Sequence, residues 1–295
     1  MKVFDVFLFC YELDLLEIRL NLLDPYVDHF VISESKKTHS GIDKELYYYN
    51  NRDRFEKFNH KIIYNVIDEP SEEKLREVGS LYDVADNKYY SSDAYEKDSI
   101  KGHLDQLCSD EDIVIWSDVD EVPNPDVLAD LKSFYDPEMV YNFAQENCQG
   151  YLNWVDTLGV YHSQTIDEES DTIPKWIGTK MCSYKILKKY TLTQIRRDLP
   201  NEKNARISPG GWHWSTVGFP EKLSFEERSI RKIKTSSHHF EWTWLTEDVV
   251  KQRIAENKDP LGRDHTSYTT IPFDSENFPE YLINNMEKYD YLIKK

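Results

Sequence analysis

The sequence predicts an α/β fold in which a mostly parallel central sheet is flanked by helices, and three observations support this class. Short β-branched and aromatic runs alternate with amphipathic helical segments along the first half of the chain. One of these runs, Ile113–Trp116, passes directly into a cluster of acids. The 295 residues include 39% hydrophobic and 14% aromatic side chains, which is enough for a packed interior.

The first strand–helix–strand unit occupies residues 3–33. Residues 3–9 alternate as a strand does, and residues 12–23 place four leucines on one helical face. Asp24-Pro25 ends that helix, and residues 30–33 form a second apolar run. Because a helix between two strands returns the chain to the same end of a sheet, we expect these two strands to be parallel.

The remaining elements follow from the same reasoning, with weaker patterns after about residue 140. Residues 68–91 are polar and have no clear period, so they are expected to form an irregular excursion. Strands are predicted at 61–67, 113–116, 141–144, 181–187 and 190–195. Helices are predicted at 92–107, 125–132 and 247–257, and within 278–293.

The most informative segment is Ile113–Pro123, which reads IVIWSDVDEVP. A buried strand that ends in Asp118, Asp120 and Glu121 puts a carboxylate cluster at the sheet edge where α/β proteins bind ligands. Asp-x-Asp lets both carboxylates reach one Mg²⁺ or Mn²⁺ ion, whose usual further ligand is a substrate phosphate. The segment therefore predicts a metal–diphosphate site of the kind used by enzymes that transfer sugars from nucleotide donors. A solvated acidic turn is the alternative interpretation.

Composition excludes several classes of partner. The formal net charge of −18 is opposite to that of a protein that binds nucleic acid or an anionic membrane, so neither partner is expected. The four cysteines form no CxxC pair, which argues against a zinc ribbon or a disulfide-rich scaffold. No apolar stretch approaches the roughly 20 residues of a membrane span, and the first residues lack the features of a signal peptide. We therefore expect a cytoplasmic protein.

A second cluster, PGGWHWS at residues 209–215, combines two glycines with three large rings. Trp212 and Trp214 flank His213, so this loop is able to line a sugar pocket or to complete a metal shell. An aromatic core corner with a hydrogen-bonded histidine is the alternative. Residues 237–242, SHHFEW, form another histidine-rich segment, although paired histidines are by themselves a weak indication of a site.

Taken together, these segments make the chain resemble glycosyltransferase family 17, the family of β-1,4-mannosyl-glycoprotein β-1,4-N-acetylglucosaminyltransferases. The similar stretches occur in the same order along nearly the whole chain, at 11–35, 54–64, 112–123, 210–215, 232–239 and 278–293. The resemblance implies a GT-A-like nucleotide-diphospho-sugar transferase fold. It also implies a Mn²⁺ or Mg²⁺ cofactor and inverting transfer from a UDP-sugar, above all UDP-GlcNAc, to a glycan or glycoprotein acceptor.

No internal repeat or low-complexity linker divides the sequence, so we expect one domain over residues 1–295. Residues 1–135 would form the nucleotide-sugar-binding half and residues 136–295 the acceptor-side half. The sequence departs from the family in three respects. Animal members carry an N-terminal membrane anchor, the family usually has an arginine where this chain has Lys101, and the residues after the GWHxS segment differ. The first departure predicts a member of microbial or viral origin that has no membrane span and acts on an unusual glycan.

The resemblance matches the acidic motif of the family to Asp118, Asp120 and Glu121. We expect Asp120 to ligate the metal, Asp118 to bind the ribose or a metal-bound water, and Glu121 to support both. An imidazole would complete the metal shell, and the two candidates for this third ligand are His213 and His238.

The other candidate residues serve the donor or the acceptor. The expected donor-binding residues are Glu12, Asp14, Arg19, Glu34, Lys101 and Trp212. Arg19 would approach the diphosphate or fix the preceding loop, unless it forms an ion pair within its own helix. Glu34 would contact the uridine, unless it is a surface acid. Inverting transfer needs a base that removes the proton of the acceptor hydroxyl, and the acids that fit this role are Glu146, Asp156 and Glu241.

Three other functions fit the same residues less well. The first is transfer from another donor, such as UDP-glucose. The second is metal-dependent phosphate-ester hydrolysis, which usually needs more His and Asp ligands than this spacing offers. The third is glycan binding without catalysis.

Overall fold

The computed structural model describes residues 1–84, 87–158, 175–197, 199, 201–264 and 266–295 of the chain. Within these ranges the strands form two sheets, one of seven strands and one of five. The strands are β1 Val3–Phe9, β2 His29–Ser35, β3 Ile62–Ile67, β4 Ile113–Asp118, β5 Glu121–Pro123, β6 Met139–Phe143, β7 Glu146–Gln149, β8 Trp154–Asp156, β9 Lys180–Ser183, β10 Lys203–Ile207, β11 Gly211–Ser215 and β12 Tyr268–Thr270.

The helices surround these sheets. They are α1 Leu13–Leu23, α2 Tyr47–Asn50, α3 Glu72–Leu81, α4 Lys88–Ser99, α5 Lys101–Leu107, α6 Pro125–Ala129, α7 Leu131–Phe134, α8 Tyr184–Leu187, α9 Leu192–Ile195, α10 Phe225–Thr235, α11 Glu247–Ala255 and α12 Glu280–Asn284, with 3₁₀ turns at Arg52–Phe58 and Asp290–Leu292. The described helices are all too short or too polar to cross a membrane.

The large sheet has the strand order β10-β6-β9-β4-β1-β2-β3. Strands β3, β2, β1 and β4 are parallel, as the first half of the sequence predicted. Strand β9 runs antiparallel to both of its neighbours, β4 and β6. The α/β class is therefore confirmed. The sheet is mixed: β9 is antiparallel to its neighbours, whereas the pairings of β4, β1, β2 and β3 and of β6 with β10 are parallel. An apolar run indicates a strand but not its direction, because the connections between strands decide the direction.

The central strands are buried because helices cover both faces of the large sheet. All seven residues of β1 are buried. On one face Phe7 and Ile32 belong to a core that includes the leucines of α1. On the other face Val6 and Trp116 belong to a core that includes Leu104 of α5. Each of these buried side chains contributes about 1.5–3 kcal/mol, so the strands that carry the acids are firmly anchored.

The second sheet, with the order β12-β8-β7-β11-β5, has no counterpart in the sequence predictions. Strand β11 contains GWHWS and pairs antiparallel with β5, so that His213 lies opposite Glu121. Gly211 has a φ of +109°, and a Cβ at this position would lie 2.2 Å from the carbonyl oxygen of Val122. Only glycine fits there, and its presence lets β11 approach the acidic segment closely.

Several predicted elements need correction at their ends or in their type. Residues 68–91 contain α3 and the start of α4, whose N-caps are Ser71 and Asn87. The strand predicted at 190–195 is wrong, because this segment contains helix α9, whose capping box is made by Thr191 and Gln194. The strand predicted at 181–187 ends at Ser183, where α8 begins. The helix predicted at 125–132 is divided into α6 and α7.

Candidate functional site

A charged cavity of about 290 Å³ opens where β1, β2 and β4 end. It contains positive and negative groups in similar number, although the whole chain is strongly acidic. Of the described residues, those with charged or imidazole side chains that line it are Lys37, Lys44, Lys97, Arg196, Lys232, Arg263, Glu12, Asp93, Glu96, Asp118, Asp120, Glu121, His39, His213 and His238. The acids of IVIWSDVDEVP and the histidine of PGGWHWS therefore line the same cavity.

Glu121 is the central residue of the acid turn, which we define as residues 118–121. Its buried carboxylate accepts hydrogen bonds from the backbone N–H of Asp118 at 2.9 Å and from Nε1 of Trp176 at 2.7 Å. It also makes a bidentate ion pair with Arg196, at 2.6 and 2.7 Å. These bonds occupy the carboxylate from several sides, so Glu121 shapes the turn and is poorly placed to bind substrate as well.

Asp118 faces the cavity beside the same arginine. Its Oδ2 lies 3.2 Å from Nη2 of Arg196. Burial would raise the pKa of Asp118, but the positive charges of Arg196 and Lys97 hold it well below its usual range. Asp118 is therefore ionised at neutral pH.

Asp120 differs from Asp118 because, in the part of the chain that the structure describes, no Lys or Arg lies within 4 Å of its carboxylate. It is 7% exposed, and among the described residues its side chain has no hydrogen bond. The only basic atom within 4 Å in those residues is Nε2 of His213, at 3.8 Å from Oδ2. Burial raises the pKa of Asp120 to about 8, and the Glu121 and Asp118 carboxylates add to this effect against the charge of Lys232. A buried carboxylate without a partner is costly, and a bound cation would offset that cost.

His213 is held as a neutral imidazole facing Asp120. Its Nδ1 lies 3.1 Å from Oδ1 of Asn147, and its ring stacks on Trp176 at a centroid distance of 4.2 Å. Burial lowers the pKa of His213 to about 3. With Nδ1–H donating to Asn147, Nε2 keeps its lone pair on the side of Asp120. Such an outer hydrogen bond is usual for histidines that ligate metals.

The donor set fits a divalent cation that takes most of its ligands from elsewhere. The described residues contain no group of three or more His, Cys, Asp or Glu side chains that would enclose a metal. Asp118, Asp120 and His213 offer two carboxylates and one neutral imidazole. Mg²⁺ and Mn²⁺ accept few protein ligands when water and phosphate oxygens supply the others. Nε2 of His213 lies 3.8 Å from Asp120, whereas His238 is bonded to Glu241, so His213 is the better placed of the two predicted imidazole ligands.

Lys232 is a functional candidate that the sequence analysis did not single out. It lies in the last turn of α10 and lines the charged cavity, and no ion pair within 4 Å involves it in the described part of the chain. Burial would lower the pKa of Lys232, but the charges of Asp120 and Glu12 outweigh it and raise the pKa. Lys232 therefore offers a positive charge for an anionic ligand. The stretch 232–239, which carried part of the resemblance, was the signal that could have found it.

A second wall of the cavity joins the end of β2 to α4. Nε2 of His39 lies 3.1 Å from Glu96, and its Nδ1 lies 3.6 Å from Asp93. Lys97 pairs with Asp93 at 2.7 Å. The sequence analysis missed these residues and Arg196, because nothing near them in the sequence links them to the acid turn.

Arg19 lies beneath the acid turn and not in the cavity. Its fully buried guanidinium pairs with Asp5 at 2.6 Å and donates to the carbonyl oxygens of Asp118 at 3.0 Å and Glu121 at 2.9 Å. It also donates to Oγ of Ser117 at 2.7 Å. The structure therefore gives Arg19 the role of bracing the turn, in place of a diphosphate contact or an ion pair within α1.

Of the other predicted donor-binding residues, Glu12 alone is among the described residues that line the charged cavity. Glu12 accepts from the backbone N–H of Tyr11 at 2.9 Å. The remaining four are occupied elsewhere. Asp14 bonds to Arg54 and Tyr291, Glu34 accepts from the backbone of Tyr47 and Tyr48, Lys101 pairs with Asp105 at 3.3 Å, and Trp212 stacks on Trp214 at 5.3 Å.

The predicted bases Glu146, Asp156 and Glu241 are not among the described residues that line the charged cavity, whereas the second histidine, His238, is. Glu146 pairs with Lys175, and Asp156 accepts from the backbone N–H of Leu158; neither is among the described residues that line the charged cavity. His238 does line the cavity, but its ring is bonded to Glu241 and not to the aspartates. The structure therefore brings together Asp118, Asp120 and His213 in one group and His238 and Glu241 in another.

An adjoining cavity of about 430 Å³ lies at the ends of β2 and β3. It shares the lining residues Ser35, Lys37, His39 and Glu96 with the charged cavity, so the two cavities adjoin along one edge. Tyr89 of α4 contributes an aromatic ring to its lining.

Comparison with known proteins identifies the family of the chain. A family model for glycosyltransferase family 17 matches residues 1–165, which is more than half of the 295 residues. The matched part contains β1 to β8 and the acid turn, whereas His213, Lys232 and His238 lie beyond it. A search of curated proteins finds no match to the chain. With the acid turn placed at the carboxyl end of β4 and a charged cavity around it, the chain belongs to glycosyltransferase family 17.

Proposed function

We propose that this glycosyltransferase moves N-acetylglucosamine from UDP-GlcNAc to a hydroxyl of a glycan or glycoprotein, with inversion, on a GT-A-like fold. Mn²⁺ or Mg²⁺ would be held by Asp118, Asp120 and His213. The observation that carries the proposal is the presence, in one cavity, of a buried acid, Asp120, and a partly buried lysine, Lys232, neither of which has a close ion pair with Lys, Arg, Asp or Glu in the described residues.

A sugar diphosphate complements these two groups. The cation, when bound, supplies positive charge that stabilises the leaving diphosphate. Lys232 donates to a phosphate oxygen, which offsets the negative charge of the donor in a strongly acidic protein. Arg196 and Glu121 keep the acid turn in place while the ligand binds.

The adjoining cavity fits the nucleoside part of the same ligand. It adjoins the charged cavity through four shared lining residues, so an elongated UDP-sugar would extend from one cavity to the other. It lies at the carboxyl ends of parallel strands β2 and β3, where α/β proteins bind nucleotides. The ring of Tyr89 offers an aromatic face for a base.

Calorimetry with UDP tests the site directly. We expect wild-type protein to bind UDP when Mn²⁺ or Mg²⁺ is present and to bind it much more weakly without metal. Asp120→Asn keeps the size of the side chain but removes its charge, so it should lose the metal-dependent binding. Asp126→Asn, a change of the same type at an exposed position of α6, should bind as the wild type does. Metal-independent binding, or full binding by Asp120→Asn, would refute the metal assignment.

The donor is tested with a panel of UDP-GlcNAc, UDP-glucose and a GDP-sugar. With Mn²⁺, the protein should hydrolyse UDP-GlcNAc fastest and release UDP and a sugar of inverted anomeric configuration, as read by NMR. A response to UDP-glucose alone would show that the donor is wrong. Release of inorganic phosphate from simple esters would point to a phosphohydrolase.

A further inference from the structure

The turn that follows α10 carries a hydrogen-bonded group of three side chains: His238, Glu241 and Tyr90. Nδ1 of His238 lies 3.0 Å from Oε2 of Glu241. The hydroxyl of Tyr90 lies 2.7 Å from the same Nδ1 and donates to Oε1 of Glu241 at 2.6 Å. Because Tyr90 comes from α4, the group joins two separate elements beside the charged cavity.

The imidazole of His238 is fixed in position. Its ring stacks on Trp242 at 5.4 Å and meets the ring of Tyr90 edge-on at 5.0 Å. Both described hydrogen-bond partners lie at Nδ1, and within the described residues Nε2 has none. Since His238 and Trp242 line the charged cavity, Nε2 is the ring nitrogen that remains for a ligand in that cavity.

Glu241 sets the tautomer of this imidazole. Burial raises the pKa of Glu241, but the hydrogen bonds from Tyr90 and His238 outweigh it and lower the pKa below its ordinary value. Glu241 is therefore an anion that accepts the Nδ1–H of His238, which leaves the lone pair on Nε2. It would also stabilise the imidazolium that forms if Nε2 takes a proton, as in acid–histidine pairs of hydrolases.

The surroundings of His238 suit a sugar. An aromatic rim, consisting of Tyr89, Tyr90, Phe240 and Trp242, flanks the histidine on the protein surface. Phe240 is 36% exposed, so flat apolar ring surface is open to solvent beside the histidine. Such surfaces pack on the C–H faces of pyranose rings while hydroxyls reach polar groups nearby.

We infer that His238 is the general base of the transfer and that Glu241 is the residue that positions it, an inference that rests on the proposed function. Nε2 of His238 takes the proton from the acceptor hydroxyl while the hydroxyl oxygen forms a bond to the anomeric carbon. The bond between that carbon and the diphosphate oxygen breaks, and its electron pair leaves with UDP. The products are the new glycoside, UDP and a histidinium, which returns its proton to solvent.

The test uses UDP-sugar hydrolysis with Mn²⁺, in which water replaces the unidentified acceptor, and the donor that wild-type protein hydrolyses fastest. His238→Ala should lower kcat about 100-fold or more, the range of general-base catalysis, with unchanged affinity for UDP by calorimetry. Added imidazole should restore part of the rate, because the side chain is half exposed and the vacated space is open to solvent. Glu241→Gln should lower kcat less and leave the affinity for UDP unchanged.

His239→Ala is the matched control on the same turn. Its ring bonds to the carbonyl oxygen of Ser236 and packs on Tyr89 outside the charged cavity, so kcat should stay near the wild-type value. Wild-type turnover with His238→Ala, or a loss that imidazole does not restore, would overturn the inference alone. Wild-type protein that binds no UDP and hydrolyses no UDP-sugar would overturn the proposed function and this inference with it.

Discussion

Asp120 and Lys232 are an acid and a base that lie in the same cavity and still form no ion pair within 4 Å in the described structure. Burial and the neighbouring carboxylates of Glu121 and Asp118 raise the pKa of Asp120 and so favour its protonated form. The charge of Asp120, in turn, raises the pKa of Lys232 and favours its charged form. Asp120 is therefore free to bind a cation and Lys232 to bind an anion, so one ligand that carries both would interact with the two residues at once. A metal-bound diphosphate is a ligand of that kind.

The first prediction at this scale concerns Lys232. Lys232→Met keeps the length and apolar part of the side chain but removes the charge that would meet the diphosphate. We expect the affinity for UDP in the presence of Mn²⁺ to fall roughly 10-fold or more, the usual effect of losing a hydrogen bond to a charged group. Calorimetry measures it.

Lys234→Met is the control, because Lys234 lies in the same turn of α10 but is exposed to solvent. It should bind UDP as the wild type does. Equal affinities for wild type and Lys232→Met would show that Lys232 does not contact the phosphates.

The residues of the charged cavity differ in how far the sequence could predict them, because only some of them lie within a single local motif. Asp118 and Asp120 were predictable because a strand and its following acids lie within one short segment. His213 was a candidate because GGWHWS has an unusual composition. Lys232 and Arg196 reach the acid turn only through the packing of distant elements, which no local pattern reports.

At the scale of elements, Arg19 connects α1 to β1, to β4 and to the acid turn. It pairs with Asp5 of β1 and donates to backbone carbonyls at both ends of the acid turn. Both partners of the Arg19–Asp5 pair are fully buried. The pair therefore holds the turn against the helix, although neither residue reaches the cavity.

Removing Arg19 should destabilise the protein strongly. Arg19→Met leaves the carboxylate of Asp5 buried without its partner, and breaking a buried pair in this way costs about 3–5 kcal/mol. Urea denaturation should show this loss of unfolding free energy. The double variant Arg19→Met with Asp5→Leu should recover part of it, since no buried charge remains. A loss below about 1 kcal/mol in the single variant would contradict the bracing role.

Elements were predictable where the hydrophobic pattern was long and local. The strand at 3–9 and the helix at 12–23 follow directly from their apolar periodicity. The segment 190–195 was predicted with the wrong type, because the apolar character of the run outweighed its capping residues Thr191 and Gln194. The five-stranded sheet escaped prediction because β5, β8 and β12 have only three residues each, too few to show a period.

For the molecule as a whole, charge is distributed unevenly. The chain has 54 Asp and Glu residues against 36 Lys and Arg residues, yet the charged cavity collects six Lys and Arg side chains among the described residues. Solvent ions screen the general negative field over about 10 Å at 0.1 M salt, so an anionic donor meets mainly the local charges of the cavity. The acidic surface and an anionic substrate are therefore compatible.

The stability of the molecule should fall as the pH rises from about 6.5 to 9. Burial disfavours the charged form of His39, but Glu96 and Asp93 outweigh it and raise the pKa of His39 to about 9. A group whose pKa is raised by folding stabilises the protein fully below its unfolded pKa of about 6.5 and loses that effect as the pH passes the folded value. The metal-free Tm of wild-type protein should therefore decline across this range.

His39→Gln isolates the contribution of this residue. It should lower the Tm at pH 6.5 and show a flatter decline towards pH 9 than wild type. Burial also raises the pKa of Asp120, so this residue contributes a further loss of stability up to about pH 8 in both proteins. The informative quantity is therefore the difference in Tm between wild type and His39→Gln at each pH. Parallel Tm curves for wild type and His39→Gln would contradict the assignment.

The pairing of β4 with β9 has a practical consequence for work on fragments. Strand β9 comes from the second half of the chain, and it covers the side of β4 that β1 leaves open. A polypeptide cut after residue 135 would expose a row of unsatisfied amides along an apolar strand, which is a template for self-association. Expressing residues 1–135 alone should yield aggregates, and supplying residues 136–295 in trans should rescue the solubility of this fragment.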